Sequence, residues 1–261
     1  MYTLYKKKNR KQLLIQLLSN IGLAYIFEYI VLNIYKAYRY KPKVFRNKYL
    51  DNVFGAILSQ AIIVPFTSLF ITAFQLGWKT KISFGLYFAI VERIFIKIGC
   101  FHNRWWRTSF TATLIPLYFY INDIWYRLIR KENSVALMVT LYNCLLITRV
   151  NVLYVLSVMG KVRFGFRYKE SWREHFIIAP LYAFILAVFT TRAFKQAGYW
   201  PKIRVILFSL GLDWALKRLN ILKVYFKSTY KRLILHTIFI FSTIQYKKLI
   251  QDAVTKPYNN R

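Results

Sequence analysis

Long apolar stretches, each bounded by a loop dense in lysine and arginine, constrain this chain more than any other feature of its sequence. They run roughly over residues 12–35, 50–74, 82–99, 108–130, 134–159, 173–195, 203–222 and 230–248. A helix of about 17 to 25 apolar residues matches the hydrocarbon thickness of a bilayer. Inside lipid the backbone must bond to itself, which a helix does segment by segment. The pattern therefore predicts an all-α integral membrane protein with about eight transmembrane helices. The third and seventh stretches are short and broken by charge, so six spans with two interfacial amphipathic helices is an open alternative.

The charge balance fits the same frame. Among 261 residues, Lys+Arg number 40 and Asp+Glu 9, for a net charge of +31, while 57% of the residues are hydrophobic and 19% aromatic. A soluble nucleic-acid binder gathers its basic charge on a solvated face beside a modest core. Here the cations punctuate the apolar runs: Lys6, Lys7, Lys8, Arg10 and Lys11 precede the first, and Lys36, Arg39, Lys41, Lys43, Arg46 and Lys48 follow it. The expected partner is thus a bilayer with anionic headgroups, each surface cation contributing about 1 kcal/mol, and no nucleic acid. Trp78, Trp105, Trp106, Trp125, Trp172 and Trp200 fall at or near segment ends, as interfacial anchors do. The first apolar run is too long, and too interrupted by Asn20 and Glu28, for a cleaved signal peptide. Positive charge is shared almost evenly between alternate loops, so membrane orientation stays open.

The chain divides near Lys131–Asn133 into two sets of four segments that can be laid over one another. Gly77-Trp78 then meets Gly198-Tyr199, Lys81-Ile82 meets Lys202-Ile203, Glu92 meets Asp213, and Lys97 meets Arg218. With small gaps, Tyr49 meets Tyr168, Asp51 meets Glu170, and Pro65 meets Pro180. The expected organisation is a basic tail over 1–11, one four-helix repeat over 12–131, a second over 132–250 and a polar tail over 251–261. An even number of helices per repeat sets both halves the same way up, as parallel repeats.

Ionisable residues inside the predicted spans are the first candidates for function, since an unpaired charge at a helix centre costs about 2.5–3.5 kcal/mol to insert. Glu92 and Asp213 form a matched pair whose equivalent positions would converge on the axis between the halves. Arg149, alone in the fifth span, is a counter-charge for either acid or a fork for an anionic group. Pro65 and Pro180 free backbone carbonyls that a cavity can accommodate, with Gln60 and Ser59 about one turn before Pro65. The competing reading makes every one of these residues a pin that fixes helix register. Glu28, Arg93, Asp123 and His236 fall inside spans as well, and the pin reading is the more natural one for Arg93 and Asp123.

Signatures of nucleotide-driven transport, zinc proteolysis and elbow-type serine hydrolysis do not occur in the chain. Cys100 and Cys144 lie far apart without a C-x-x-C pattern, so neither a metal site nor a cofactor is predicted. Any catalysis would have to arise from dispersed residues, such as Asp51, Asp123 and Glu170 at headgroup level.

Tyr49-Leu50-Asp51-Asn52, Gln60, Pro65, Glu92 and Trp105-Trp106, taken together, resemble a family of small polytopic membrane proteins from spore-forming Gram-positive bacteria. The resemblance covers mainly residues 20–125. It implies a bacterial cell membrane and a sporulation setting, and no activity. The second copy departs from the pattern, with Phe226-Lys227 where the first has Trp105-Trp106. The leading expectation is a protein that binds or moves a small solute, ion or lipid through a cavity between its halves. A non-catalytic membrane scaffold, with a membrane-protein partner or a second copy of itself, and an intramembrane lipid-modifying enzyme are the alternatives.

Overall fold

The computed structural model describes residues 2–166, 171–224 and 229–255, and Tyr168, Glu170, Phe226 and Lys227 lie outside these. The chain forms two compact units, Met1–Thr140 with Ile250–Arg261, and Leu141–Leu249. The division between these units falls within a helix, between Thr140 and Leu141.

In the first unit, α1 (Tyr2–Lys6) leads into α2 (Arg10–Glu28), which continues as a π turn over Tyr29–Ile34 and ends at strand β1 (Tyr38–Tyr40). Helix α3 (Lys48–Ile57), a π turn over Leu58–Ile63 and α4 (Val64–Ala73) make one continuous rod. Helix α5 (Trp78–Lys97), strand β2 (Phe101–Asn103) and α6 (Thr108–Arg130) follow. The second unit is built from α7 (Ser134–Val158), β3 (Val162–Phe164), α8 (Trp172–Ala193), α9 (Trp200–Arg218), β4 (Leu222–Val224) and α10 (Thr229–Thr255). The ends of α7 and α10 fall within the first unit.

Eight long helices therefore occupy the eight apolar stretches. Four of them, Arg10–Ile34, Lys48–Ala73, Ser134–Val158 and Trp172–Ala193, are long and apolar enough to cross a bilayer. Charge sets two of the other four apart: α5 carries Lys79, Lys81, Glu92, Arg93 and Lys97, and α9 carries Lys202, Arg204, Asp213, Lys217 and Arg218.

The order helix, strand, helix, helix, strand, helix occurs in both units. Each strand pair is antiparallel, Tyr38 opposite Asn103 and Tyr40 opposite Phe101 in one, Val162 opposite Val224 and Phe164 opposite Leu222 in the other. The corners match as well. A residue with positive φ ends the helix before each strand: Lys36 and Gly160 before β1 and β3, Gly99 and Asn220 before β2 and β4. Glycine takes that backbone without a steric penalty, and asparagine tolerates it better than most residues. After Gly99, the Cys100 N–H donates to Phe95 O at 2.9 Å; after Asn220, the Ile221 N–H donates to Leu216 O at 2.9 Å. The strands were not foreseen, because three residues inside a basic loop carry no readable alternation.

Helix α3 is capped by Asn47, whose side chain accepts from the Tyr49 and Leu50 N–H groups, and α8 by Ser171, which accepts from Glu174 N–H. Asp51, one turn into α3, accepts the N–H groups of Lys43, Val44 and Phe45 at 2.8–3.1 Å, and Glu174 accepts that of Phe166 at 2.8 Å. Asp51 and Glu174 thus play the same part, each tying the preceding loop to the first turns of a helix. Counted from these caps, Pro180 falls in the first half of its helix and Pro65 in the second half of its rod.

Polarity inside the units runs against that of a water-soluble core. Gln16, Asn20, Asn122, Asn143, Thr190 and Ser209 are buried, whereas Ile82, Leu86, Ile90 and Ile94 along one face of α5 are each about half exposed. Polar groups packed inward and aliphatic groups turned outward suit a hydrocarbon surrounding.

Candidate ligand cavity

Glu92 lies near the end of α5 and is only 8% exposed. Among the described residues, no cation pairs with it. Its Oε1 accepts from Thr108 Oγ1 at 2.8 Å and Asn103 Nδ2 at 3.2 Å, and its Oε2 accepts from Thr111 Oγ1. Strand β2 supplies the amide, and the first turn of α6 supplies both hydroxyls. Trp106 fixes this arrangement by donating its Nε1–H to Thr111 Oγ1 at 2.9 Å. Helices α5 and α6 come this close because Gly85 faces Pro116, where an added Cβ would stand 2.5 Å from the proline ring.

A second buried acid meets strand β1. Glu28 Oε2 accepts from Tyr38 OH at 2.8 Å and Gln60 Nε2 at 3.1 Å. Strand β1 is held to α3 by the Tyr40 N–H, which donates to Asn52 Oδ1 at 2.7 Å, and Gly55 leaves room for the Tyr40 side chain, which an added Cβ would strike. Burial, and after it the Glu28 carboxylate, hold the Tyr38 and Tyr40 hydroxyls well above the ordinary phenol range, so both remain proton donors.

Between these elements lies a cavity of about 630 Å³. Its walls are mostly aliphatic and aromatic, from α2, the α3–α4 rod, α5 and α6. Polar groups gather from Glu92, Thr111, Gln60, Ser59, Tyr38 and Tyr40. The π turn at Leu58–Ile63 brings Leu58, Ser59, Gln60 and Ile63 to the wall together, where a regular helix would turn some of them away. Tyr38, Phe101 and Trp106 pack ring to ring at this polar end, Tyr38 lying 5.1 Å from Phe101 and 5.2 Å from Trp106. A cavity of this size and lining, with few convergent polar groups, has the dimensions of a small-molecule site.

Two of the residues singled out from sequence, Glu92 and Gln60, line this cavity, and so does Ser59. Pro65 belongs to the same unit, just beyond the π turn and outside the wall. Asp213, Arg149 and Pro180 belong to the second unit. There Asp213, 4% exposed, accepts from Tyr182 OH at 2.6 Å and pairs with His236 Nε2 at 2.9 Å. Arg149, 2% exposed, donates from Nη2 to Thr190 Oγ1 at 3.1 Å and lies 4.5 Å above the Phe239 ring. Asp213 thus finds its partner in His236, a residue more readily taken from sequence for packing. Asp123 pairs with Lys81 at 2.5 Å and accepts from Thr72. Arg93, beside Glu92 in sequence, points outward.

Sequence reading missed Glu28 with Tyr38 as a polar pair, and missed Trp106 as a wall of the cavity. The second half of the Trp105-Trp106 pair turns inward, while Trp105 stays half exposed and donates to Tyr35 O at 2.9 Å. Among the described residues, no group of three or more His, Cys, Asp or Glu is placed to hold a metal ion.

These features define a class: a mostly helical chain with helices fit to cross a bilayer and a mostly apolar cavity carrying a buried carboxylate. No protein-family model, curated protein or solved structure matches it.

Proposed function

We propose that this chain is a multi-pass membrane protein, built as two parallel four-helix repeats, that holds an amphiphilic small molecule of lipid-like shape inside its first repeat. The observation that carries the reading is the cavity of about 630 Å³, apolar along its walls and closed at one end by Glu92, Gln60 and the two strand tyrosines. Binding comes first in this reading, and movement of the molecule across or along the bilayer is its extension. The cavity expected between the halves gives way to one within a single unit.

The outward isoleucines of α5 and the buried polar groups support the membrane setting. Repetition is supported by the paired corners and by a second coincidence at the start of α5 and α9. Lys81 lies over the Trp78 ring at 5.6 Å, and Lys202 over the Tyr199 ring at 4.7 Å. A non-catalytic scaffold is favoured by one feature, the use of Asp51, Asp123 and Asp213 to bind their own loop or neighbouring helices. That feature describes the framework and leaves Glu92 and its cavity unexplained. Of the acids that suggested a lipid-modifying enzyme, Asp51 and Asp123 are engaged in this way, and Glu170 lies outside the described residues.

Mass spectrometry of the full chain purified in mild detergent tests the reading. A co-purifying amphiphile is expected, and Leu58→Trp, which fills the cavity, reduces its occupancy about tenfold or more. Equal occupancy in the filled variant overturns the proposal.

A further inference from the structure

The charge on the cavity wall is the opposite of the charge on the molecule. The chain carries forty lysines and arginines against nine acids, yet among the described residues no lysine or arginine lines the cavity. Glu92 stands on the wall.

This asymmetry selects among head groups. A phosphate or fatty carboxylate brought in here would face a carboxylate in an apolar surrounding with no cation to offset it, an arrangement that costs several kcal/mol in comparable buried sites. An alcohol suffers no repulsion and offers a single donor. An ammonium offers up to three donors and a full charge, which Glu92 complements directly. The hydroxyls of Thr108 and Thr111 and the Asn103 amide occupy three positions on the Glu92 carboxylate, leaving acceptor capacity on Oε2, the oxygen held by Thr111 on the wall. The aromatic side chains of Tyr38, Tyr40 and Trp106 at the same end add ring faces that attract a cation.

We propose that the ligand of this cavity is a long-chain amine, its ammonium against Glu92 beneath the Tyr38–Trp106 ring cluster and its apolar tail along Phe88, Leu114 and Ile121. The proposal rests on the reading of the cavity as an amphiphile site and narrows it to one chemical class.

Three labelled probes of equal chain length, a primary amine, an alcohol and a carboxylic acid, are titrated against the full chain in uncharged-lipid nanodiscs. The amine binds about tenfold tighter than the alcohol, and the acid most weakly. Glu92→Gln brings the amine-to-alcohol ratio close to one. Ser59→Lys, which sets a cation on the same wall, brings the ratio below one, so the proposal is tested even where Glu92→Gln does not fold. Equal or tighter binding of the alcohol or the acid, lost in Leu58→Trp, overturns the amine assignment and leaves the amphiphile site standing. Binding of all three probes that Leu58→Trp does not weaken overturns both.

Discussion

The two units treat their buried acid in opposite ways. In the first, Glu92 is satisfied by two threonine hydroxyls and an asparagine amide, all neutral, and it faces a cavity. In the second, Asp213 is paired with His236 and Tyr182, all three buried, in the unit that also buries Arg149. Neutral donors keep a carboxylate in place while leaving its charge for something else to answer. A paired histidine spends that charge within the framework. On the proposed function, an acid inside an apolar helix is a site in one setting and a pin in the other, and its partners distinguish the two.

The comparison breaks most sharply on stability. Asp213→Ala leaves His236 and the Tyr182 hydroxyl buried without their acceptor, and it is expected to cost about 3–5 kcal/mol. Glu92→Gln retains an acceptor for the threonines and is expected to cost about 1–3 kcal/mol. Thermal unfolding of both variants in the same detergent orders them, and a Glu92→Gln variant as unstable as Asp213→Ala would make Glu92 a pin as well. Next in size is Gly55→Ala, whose Cβ collides with Tyr40 and so strains the strand that closes the cavity. About 1–3 kcal/mol is lost, together with ligand occupancy. The smallest effect belongs to Lys11 and Asp252, a pair at 2.7 Å whose side chains are 51% and 36% exposed. Lys11→Ala changes the unfolding midpoint by an amount worth less than about 1 kcal/mol, and by less still at high salt.

Much of the framework was legible in the sequence because it is local. Apolar runs of helical length placed all eight long helices, and Trp78, Trp172 and Trp200 each stand at the first position of one. Glu92 and Gln60 stood out because polar residues in such runs are rare. What stayed hidden depends on contacts between distant segments. Glu28 and Gln60 meet only because α2 and the π turn lie side by side, and nothing in Leu58-Ser59-Gln60 announces a π turn. The matching of Pro65 with Pro180 meets a related limit. Pro65 stands 18 residues past its cap Asn47 (65 − 47) and Pro180 nine past Ser171 (180 − 171), so one register does not match both the prolines and the caps.

The central claim is that the first unit holds an amphiphile at Glu92, and photo-crosslinking tests it most directly. A long-chain amine carrying a diazirine near its nitrogen is bound to the full chain, irradiated, and mapped by peptide mass spectrometry. Labels are expected on residues 24–121 around Glu92, Tyr38 and Trp106, and they should fall about tenfold in Leu58→Trp. Labels confined to residues 141–249, or undiminished in the filled variant, would contradict the account.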